Sequence, residues 1–346
     1  LCYKKLNMSK KNSSVSLKQL FKNKEEFSNI FLNFFKRISD YKKKSFVVAV
    51  SGGPDSLALA GLTKAYSYVK KTKFHYILIN HNIRKNSSKE AKQVKSLLKR
   101  KKINLIIISN KKKIDRNIQG QAREIRYNLI KRFCNSKKTH AILTAHNLED
   151  QVETFLIRLS RGSGLTGLSS MKKISKISDT INLYRPLLDV KKEVLIKISK
   201  EVFGKYFKDP SNKDIKFLRT KIRGLKKPLE RSGIKYDQII KSINNLASSK
   251  ETLDEYFEKI YKNLTTKNGS SIFVDLKKFK RLNKDIKIDL INKSIKKLKN
   301  NYYNLRARKV ENLIKKIQSK NFHKSTLGGC IFFKEKDKLR LKVEKT

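Results

Sequence analysis

The chain has 346 residues, of which 84 are Lys or Arg and 29 are Asp or Glu, giving a formal net charge of +55. That length buries a sizeable core and predicts two domains, while the charge favours a polyanionic partner, nucleic acid being the commonest. Lys, Asn and Ile are abundant as AT-biased coding would make them, yet even with that background discounted +55 fits poorly with a protein that handles only small metabolites.

Residues 1–44 read as an N-terminal extension, with Met8 a candidate start, running into an amphipathic helix over 16–40. Phe27, Ile30, Phe31, Phe34, Phe35 and Ile38 share one stripe of that helix, which is read as core packing. Phe46–Val50 is a continuous apolar, β-branched run and predicts a strand buried on both faces. Ser51-Gly52-Gly53-Pro54-Asp55-Ser56 cannot continue it: the glycines allow positive φ, Pro54 pre-sets a first helical turn, and Ser51 or Ser56 can cap. Apolar residues at helical spacing follow from Leu57 to Leu62. Strand, glycine loop and helix together cradle phosphate, because backbone N–H groups and the helix N-terminus converge on the anion. The spacings GxxxxGK[ST] and GxGxxG are both absent.

Phe74–Asn80 predicts a second strand, ending in His81-Asn82-Ile83-Arg84. A helix over about 87–101, a strand at Leu105–Ile108, the segment Gln121–Tyr127 and a strand at Ala141–Ala145 ending in His146 come next. This alternation predicts an α/β fold with a doubly wound parallel sheet, in which ligands bind beyond the carboxyl ends of the strands. One crevice should therefore collect SGGPDS, Asn80–Arg84 and His146–Glu153. Residues 148–160 look helical, with Asp150 and Glu153 on one face of the N-terminal end. Those carboxylates either cap the helix or face the crevice and hold a cation. Arg161–Gly167 reads as a flexible loop, a lid or an RNA-facing turn. Tyr184–Leu188 is expected to open a helix, and Asp209–Asn212 to form a turn. A catalytic domain over 45–215 and a mainly helical domain over 216–346 are expected. The second has helices over 236–266 and 279–320, a strand at Ile272–Leu276 and a closing hairpin of Ser325–Phe333 with Lys338–Val343. The runs Lys99–Lys102 and Lys111–Lys113 are read as solvated surface.

SGGPDS resembles the SGGxDS loop of the PP-loop ATP pyrophosphatases. INHNIR, QAREIRY, TAHNLEDQVET, RPLL, DPSN, FLRTKIR, LRARKVENLI and TLGGC follow in order, from about residue 46 to the C-terminus. Together they resemble the tRNA(Ile)-lysidine synthetases, HxxxDQxET with RPLL and DPSN being the most specific part. The resemblance implies ATP-dependent adenylation of the wobble cytidine of a tRNA(Ile) with a CAU anticodon. The ε-amine of free L-lysine then attacks to form lysidine, releasing AMP and pyrophosphate and changing codon reading from AUG to AUA. It further implies that Ser51, Gly52, Gly53, Pro54, Asp55, Ser56, Asn80, His81 and Arg84 bind ATP, with Asp55 also reaching Mg²⁺. Asp150, Glu153 and His146 would bind lysine, and Arg126 would lie near the reacting groups. Asp55, Arg126, Asp150 and Glu153 would form the catalytic set. Arg123, Arg219 and Arg223 would contact tRNA phosphates, the alternative for the last two being surface salt bridges. His81 and His146 read as contacts to nucleotide or neighbouring backbone rather than as a metal pair. Two residues depart from the family pattern: Asn80 stands at a usual Asp, and Glu149 replaces the first Asp of a DD pair. The further C-terminal domain of longer members is expected to be absent, and a homodimer is left open.

Three readings compete. A cytidine thiolase needs paired cysteines, whereas Cys2, Cys134 and Cys330 are scattered and form no CxxC. NAD and GMP synthetases share SGGxDS without explaining the charge or the downstream motifs. A non-catalytic RNA-binding module with a decayed loop is favoured by Asn80 and opposed by the intact SGGPDS; tRNA-dependent pyrophosphate release separates it from the enzyme. No apolar run predicts a transmembrane helix and no apolar leader opens the chain, so no membrane partner and a cytoplasmic location are expected.

Overall fold

The computed structural model describes residues 25–84, 86–110, 118–207, 218–299, 305, 307–319 and 321–344. The extension before Glu25, Lys111–Lys113, Asp209–Asn212, Phe217 and Arg306 lie outside the described residues. The chain divides into two units, Leu1–Asn244 and Asn245–Thr346.

In the first unit, α1 (Glu25–Asp40) buries Phe27, Phe34 and Ile38, the stripe expected to be core. The order continues with β1 (Ser45–Ala49), α2 (Pro54–Ser67), β2 (Lys73–Asn80), α3 (Ser87–Lys99), β3 (Leu105–Ser109), α4 (Ile118–Ser136) and β4 (Ala141–Leu143). Then come α5 (Leu148–Leu159), α6 (Leu165–Leu168), β5 (Ile174–Lys176), β6 (Asn182–Tyr184), α7 (Lys192–Phe203), α8 (Leu218–Gly224) and α9 (Lys226–Arg231). Six strands form one sheet in the order β3-β2-β1-β4-β6-β5. All pairings are parallel except β5 with β6 at the edge. The expected doubly wound sheet is present, and β1 lies at its centre because Phe46, Val47 and Val48 are fully buried.

Tyr184–Leu188 does not open a helix. Tyr184 closes β6, and the next helix begins at Lys192. Pro186 disfavours helical backbone at Arg185, and Leu183 and Tyr184 are buried in the sheet.

Helix α10 (Tyr236–Leu264) carries the chain past the division between the units. Its first residues Tyr236, Ile239 and Ile243, with Leu229 of α9, cluster with Leu148 and Val152 of α5. The described residues 218–244 therefore belong with the first unit, which runs to Asn244.

The second unit adds β7 (Thr265–Asn268), β8 (Ser271–Asp275), α11 (Leu276–Arg281), α12 (Lys284–Lys299), α13 (Ala307–Gln318), β9 (Lys324–Leu327), β10 (Cys330–Glu335) and β11 (Lys338–Val343). Its strands form an antiparallel sheet in the order β7-β8-β11-β10-β9. The expected hairpin is thus the middle of a five-stranded sheet. One face of it, with Ile272, Val274, Cys330, Phe332, Leu339 and Leu341, is buried against the helices. Among the described residues no helix is long and apolar enough to cross a membrane.

Candidate active site

From β1 the chain winds outward to β2 and β3, then returns through α4 to β4 on the other side of β1. The carboxyl ends of β1 and β4 thus flank a topological switch point, where such sheets open a crevice. Gly52 begins the loop there with φ +84, and a Cβ on it would stand 2.6 Å from Val94 Cγ2. Both the backbone conformation and the approach of Val94 demand glycine. Phe207 N donates to Gly52 O at 3.0 Å. Gly53 is the N-cap of α2 and Pro54 opens the helix, with no side chain capping the first turn. A first turn left without a side-chain cap suits an anion. Ser56 braces the loop: its Oγ donates to Gly53 O at 3.0 Å, accepts from Ser51 N at 3.1 Å, and lies 3.1 Å from Ser51 Oγ. The hydroxyl expected to meet phosphate is therefore engaged within the loop.

Asp55 occupies the first turn of α2, and its Oδ1 is buried without a hydrogen-bond partner. Burial pushes its carboxyl up to about 6; Lys192 and Asn147 oppose the rise, while Asp150 and Glu149 add to it. Asn80 at the end of β2 is buried, donating from Nδ2 to Ser88 Oγ at 3.0 Å and accepting from Asn82 N at 3.1 Å. The amide shapes the turn in which Asn82 takes φ +54. A carboxylate could accept in both directions but could not donate to Ser88. Both ring nitrogens of His81 are buried without hydrogen-bond partners, and burial, then Arg126, lowers its pKa to about 4. Arg84 turns away to Glu90, at 2.9 Å.

Helix α5 begins with a capping box: Asp150 N donates to Asn147 Oδ1 at 2.9 Å, and Asn147 N to Asp150 Oδ2 at 3.2 Å. Glu149 faces elsewhere. Its Oε2 accepts from Lys192 N at 2.8 Å, capping α7, whose own N-cap residue supplies no side chain. One turn along, Glu153 is buried and accepts from Arg223 Nε at 2.6 Å. Arg219 Nε stands 3.1 Å from the other carboxylate oxygen, off the hydrogen-bonding direction, and its Nη2 reaches Thr154 Oγ1 at 3.3 Å. Arg223 Nη2 lies 3.8 Å from Asp150 Oδ1. Burial raises the Glu153 pKa against the pull of Arg223. Arg219 and Arg223, expected at RNA phosphates, lie against the carboxylates of α5, the buried Glu153 above all. Asp150 serves both as a helix cap and as a crevice charge.

His146 follows β4, with Nδ1 2.9 Å from Thr144 Oγ1. Burial lowers its pKa to about 4; Asp150 opposes this, and Arg185, Arg219 and Arg123 reinforce it. The imidazole is neutral at neutral pH. Arg123 and Arg126 are exposed on α4, the former with its guanidinium 5.0 Å from the Tyr127 ring centre. Among the described residues no group of three or more His, Cys, Asp or Glu is arranged to hold a metal ion.

Side chains tie down the end of the Arg161–Gly167 loop and the stretch that follows it. Arg158 Nη1 donates to Gly167 O at 2.6 Å and Ser170 O at 2.9 Å. Buried Gln151 donates to Met171 O at 2.9 Å and accepts from Met171 N and Ser170 Oγ, each at 2.9 Å. Buried Arg185 reaches Lys172 O at 2.7 Å and Ser175 Oγ at 3.0 Å. Gln151 and Arg185 are polar residues within the TAHNLEDQVET and RPLL motifs, which is their only signal in the sequence, and Arg158 lies outside both.

Residues 19–228 match the family model of the PP-loop domain. The chain is 32% identical over 299 residues to a protein named tRNA(Ile)-lysidine synthase from Wolbachia pipientis wMel, spanning 84% of this chain and 69% of that one. A protein of the same name from Wolbachia sp. subsp. Brugia malayi (strain TRS) is 30% identical over 310 residues, with 88% and 72% spanned. One from Rickettsia felis is 32% identical over 302 residues, with 85% and 68% spanned. Among solved structures, a U34-tRNA thiolase from Methanococcus maripaludis shares the fold, with a TM-score of 0.55 at 18% identity over 64% of this chain and 79% of that chain.

Proposed function

Because the chain belongs to the tRNA(Ile)-lysidine synthase family of PP-loop proteins, we propose that its crevice joins L-lysine to the wobble cytidine of a CAU-anticodon tRNA(Ile). It is a carbon–nitrogen ligase that uses ATP. The thiolase reading is not favoured, since the likeness to the thiolase is one of fold alone. The cytosine 2-carbonyl oxygen attacks the α-phosphate of ATP, and pyrophosphate leaves. The lysine ε-amine then attacks C2, AMP departs with the oxygen, and the nitrogen loses its proton. Adenylation turns a poor leaving group into a good one, and the product pairs with A instead of G.

The uncapped first turn of α2 and the amides of Gly52 and Gly53 stabilise the departing pyrophosphate. The partnerless buried Oδ1 of Asp55 fits a cation, so Asp55 is the group that would hold Mg²⁺. When bound, the ion neutralises charge on the leaving pyrophosphate. Asn80 takes no part in that, its amide being committed to Ser88 and Asn82. Asp150 and Glu153 beside Arg219 and Arg223 offer alternating acids and guanidinium groups, which suits a zwitterionic amino acid. Glu153 already carries both arginines, so Asp150 is the nearer receptor for a lysine ammonium. The neutral ring of His146 orients by hydrogen bonding; with a pKa near 4 it is a weak acceptor for an ammonium proton whose ordinary pKa is about 10.4. Arg123 and Arg126, exposed on α4, face the RNA, and the second unit binds the body of the tRNA. The setting is the cytoplasm, where ATP, lysine and tRNA meet.

The observation that supports this reading is electrostatic: Asp55 of the glycine loop feels Asp150 and Glu149 of α5, and Arg223 of α8 feels Asp55. The test is incubation with ATP, Mg²⁺, labelled lysine and each of the two CAU tRNAs, isoleucine and methionine. Label in the isoleucine tRNA alone is expected. Cleavage to AMP and pyrophosphate without label would reject lysine as second substrate, and no turnover would favour a binding module.

A further inference from the structure

The sheet of the second unit has two faces. The inner one supplies the core, with Ile272, Val274, Phe332, Leu339 and Leu341 at most 1% exposed. Alternation should therefore make the other face polar. Instead its middle row, read across β8, β11, β10 and β9 in register, is Phe273, Arg340, Phe333 and Lys324. Two phenylalanines stand on a face with no core left to fill. The Arg340 guanidinium lies between them, 5.4 Å from the Phe273 ring centre and 5.3 Å from that of Phe333. Its Nε donates to Ser271 Oγ at 3.1 Å and its Nη1 to Glu335 Oε1 at 2.9 Å. Lys342 lies 5.4 Å from the Phe333 ring centre. Lys324, Lys338 and Lys342 are exposed around the row. Within its strands the face carries two acids among the described residues, Glu335 on Arg340 and Asp275, which caps α11 by accepting from Lys278 N at 2.9 Å. Both are occupied, so the lysines set the sign of the surface.

We infer that this outer face binds RNA, with nucleobases stacking on the Phe273–Arg340–Phe333 row and Lys324, Lys338 and Lys342 meeting the phosphates. A π-platform of aromatic rings and a guanidinium plane suits unstacked bases of any identity, and the surrounding cations suit the backbone. The inference rests on the tRNA-modifying reading above and specifies where the substrate is held away from the reacting cytidine. A cross-strand cation–π ladder alone would stabilise the sheet without any ligand, and the experiment separates the two.

Two variants of the full chain are compared with the parent for binding of CAU-anticodon tRNA(Ile) transcript by anisotropy across a salt series, without ATP. F273L/F333L keeps apolar bulk but removes the rings; K324Q/K342Q alters only exposed cations. F273L/F333L should raise Kd roughly tenfold or more with the salt slope unchanged. K324Q/K342Q should weaken binding and lower the salt slope by about 1 to 2. Parent-like Kd in both variants overturns the inference, and loss only in K324Q/K342Q overturns the stacking platform. If the parent turns over tRNA while both variants bind like it, the catalytic reading stands and this surface falls. A parent that binds no tRNA overturns both.

Discussion

Replacing Gln151 by Met isolates the clamp on the turn after α5. Met preserves length and apolar packing, so repacking costs less than about 1.5 kcal/mol. What is lost is specific: Met171 N and Met171 O both lose their partner on the Gln151 amide, whereas Ser170 Oγ keeps the Gln151 backbone oxygen at 3.1 Å. Each backbone group left unpaired costs about 1–3 kcal/mol if it stays buried. Met171 is half-buried, so water recovers part of this. The net expectation is about 2 kcal/mol, read from urea midpoints, with faster hydrogen exchange at the Met171 amide. Gln151→Glu sharpens the test. It keeps the acceptor but puts an oxygen where Nε2 met Met171 O, so only the protonated carboxyl restores a donor. Its folded pKa is thereby raised, and the deficit relative to the parent shrinks as pH falls towards 5 and grows as pH rises through that pKa. A Gln151→Met protein within 0.5 kcal/mol of the parent, with unchanged Met171 exchange, would refute the reasoning.

Gly52→Ala adds left-handed strain of about 1–2 kcal/mol and a clash with Val94. Thermal melts should show the loss, and Gly52→Ala with Val94→Ala should recover only the clash. Arg223→Met leaves the buried Glu153 carboxylate with Arg219 alone; a double-mutant cycle with Glu153→Gln should give a coupling above about 1 kcal/mol, and additivity would contradict the pairing. His146 has a folded pKa lowered from 6.5 to about 4, so the unfolded chain binds the extra proton between those values and stability falls as pH drops through that window. The stability difference between the parent and His146→Gln should decline by about 2 kcal/mol from pH 7.5 to pH 5; a flat difference contradicts burial of the neutral ring.

The glycine loop was legible because local rules act there: an apolar run must be a buried strand, and Gly-Gly-Pro must end it. Strand–helix alternation then implied the crevice without any tertiary knowledge. The partners of Glu153 were not legible, since Arg223 lies 70 positions away and a surface arginine and a buried partner look alike in sequence. Tyr184–Leu188 misled because a short apolar run carries no period, and its packing on β4 decides for strand. Gln151 and Arg158 were invisible for a related reason: helical spacing shows which face is polar, but not that inward-turned carbonyls await it. The domain boundary followed Leu229, Ile239 and Ile243 onto α5, a burial pattern with no local mark.

Phe207 is joined to Gly52 by a backbone hydrogen bond, and its ring comes within 3.5 Å of the place where a Gly52 side chain would begin. Gly52 is therefore enclosed on two sides, its carbonyl taken by the Phe207 amide and the place of its missing side chain bounded by Val94 and the Phe207 ring. A substitution there has to displace neighbours from two separate parts of the chain, so a single glycine sets how closely the loop and its surroundings can approach.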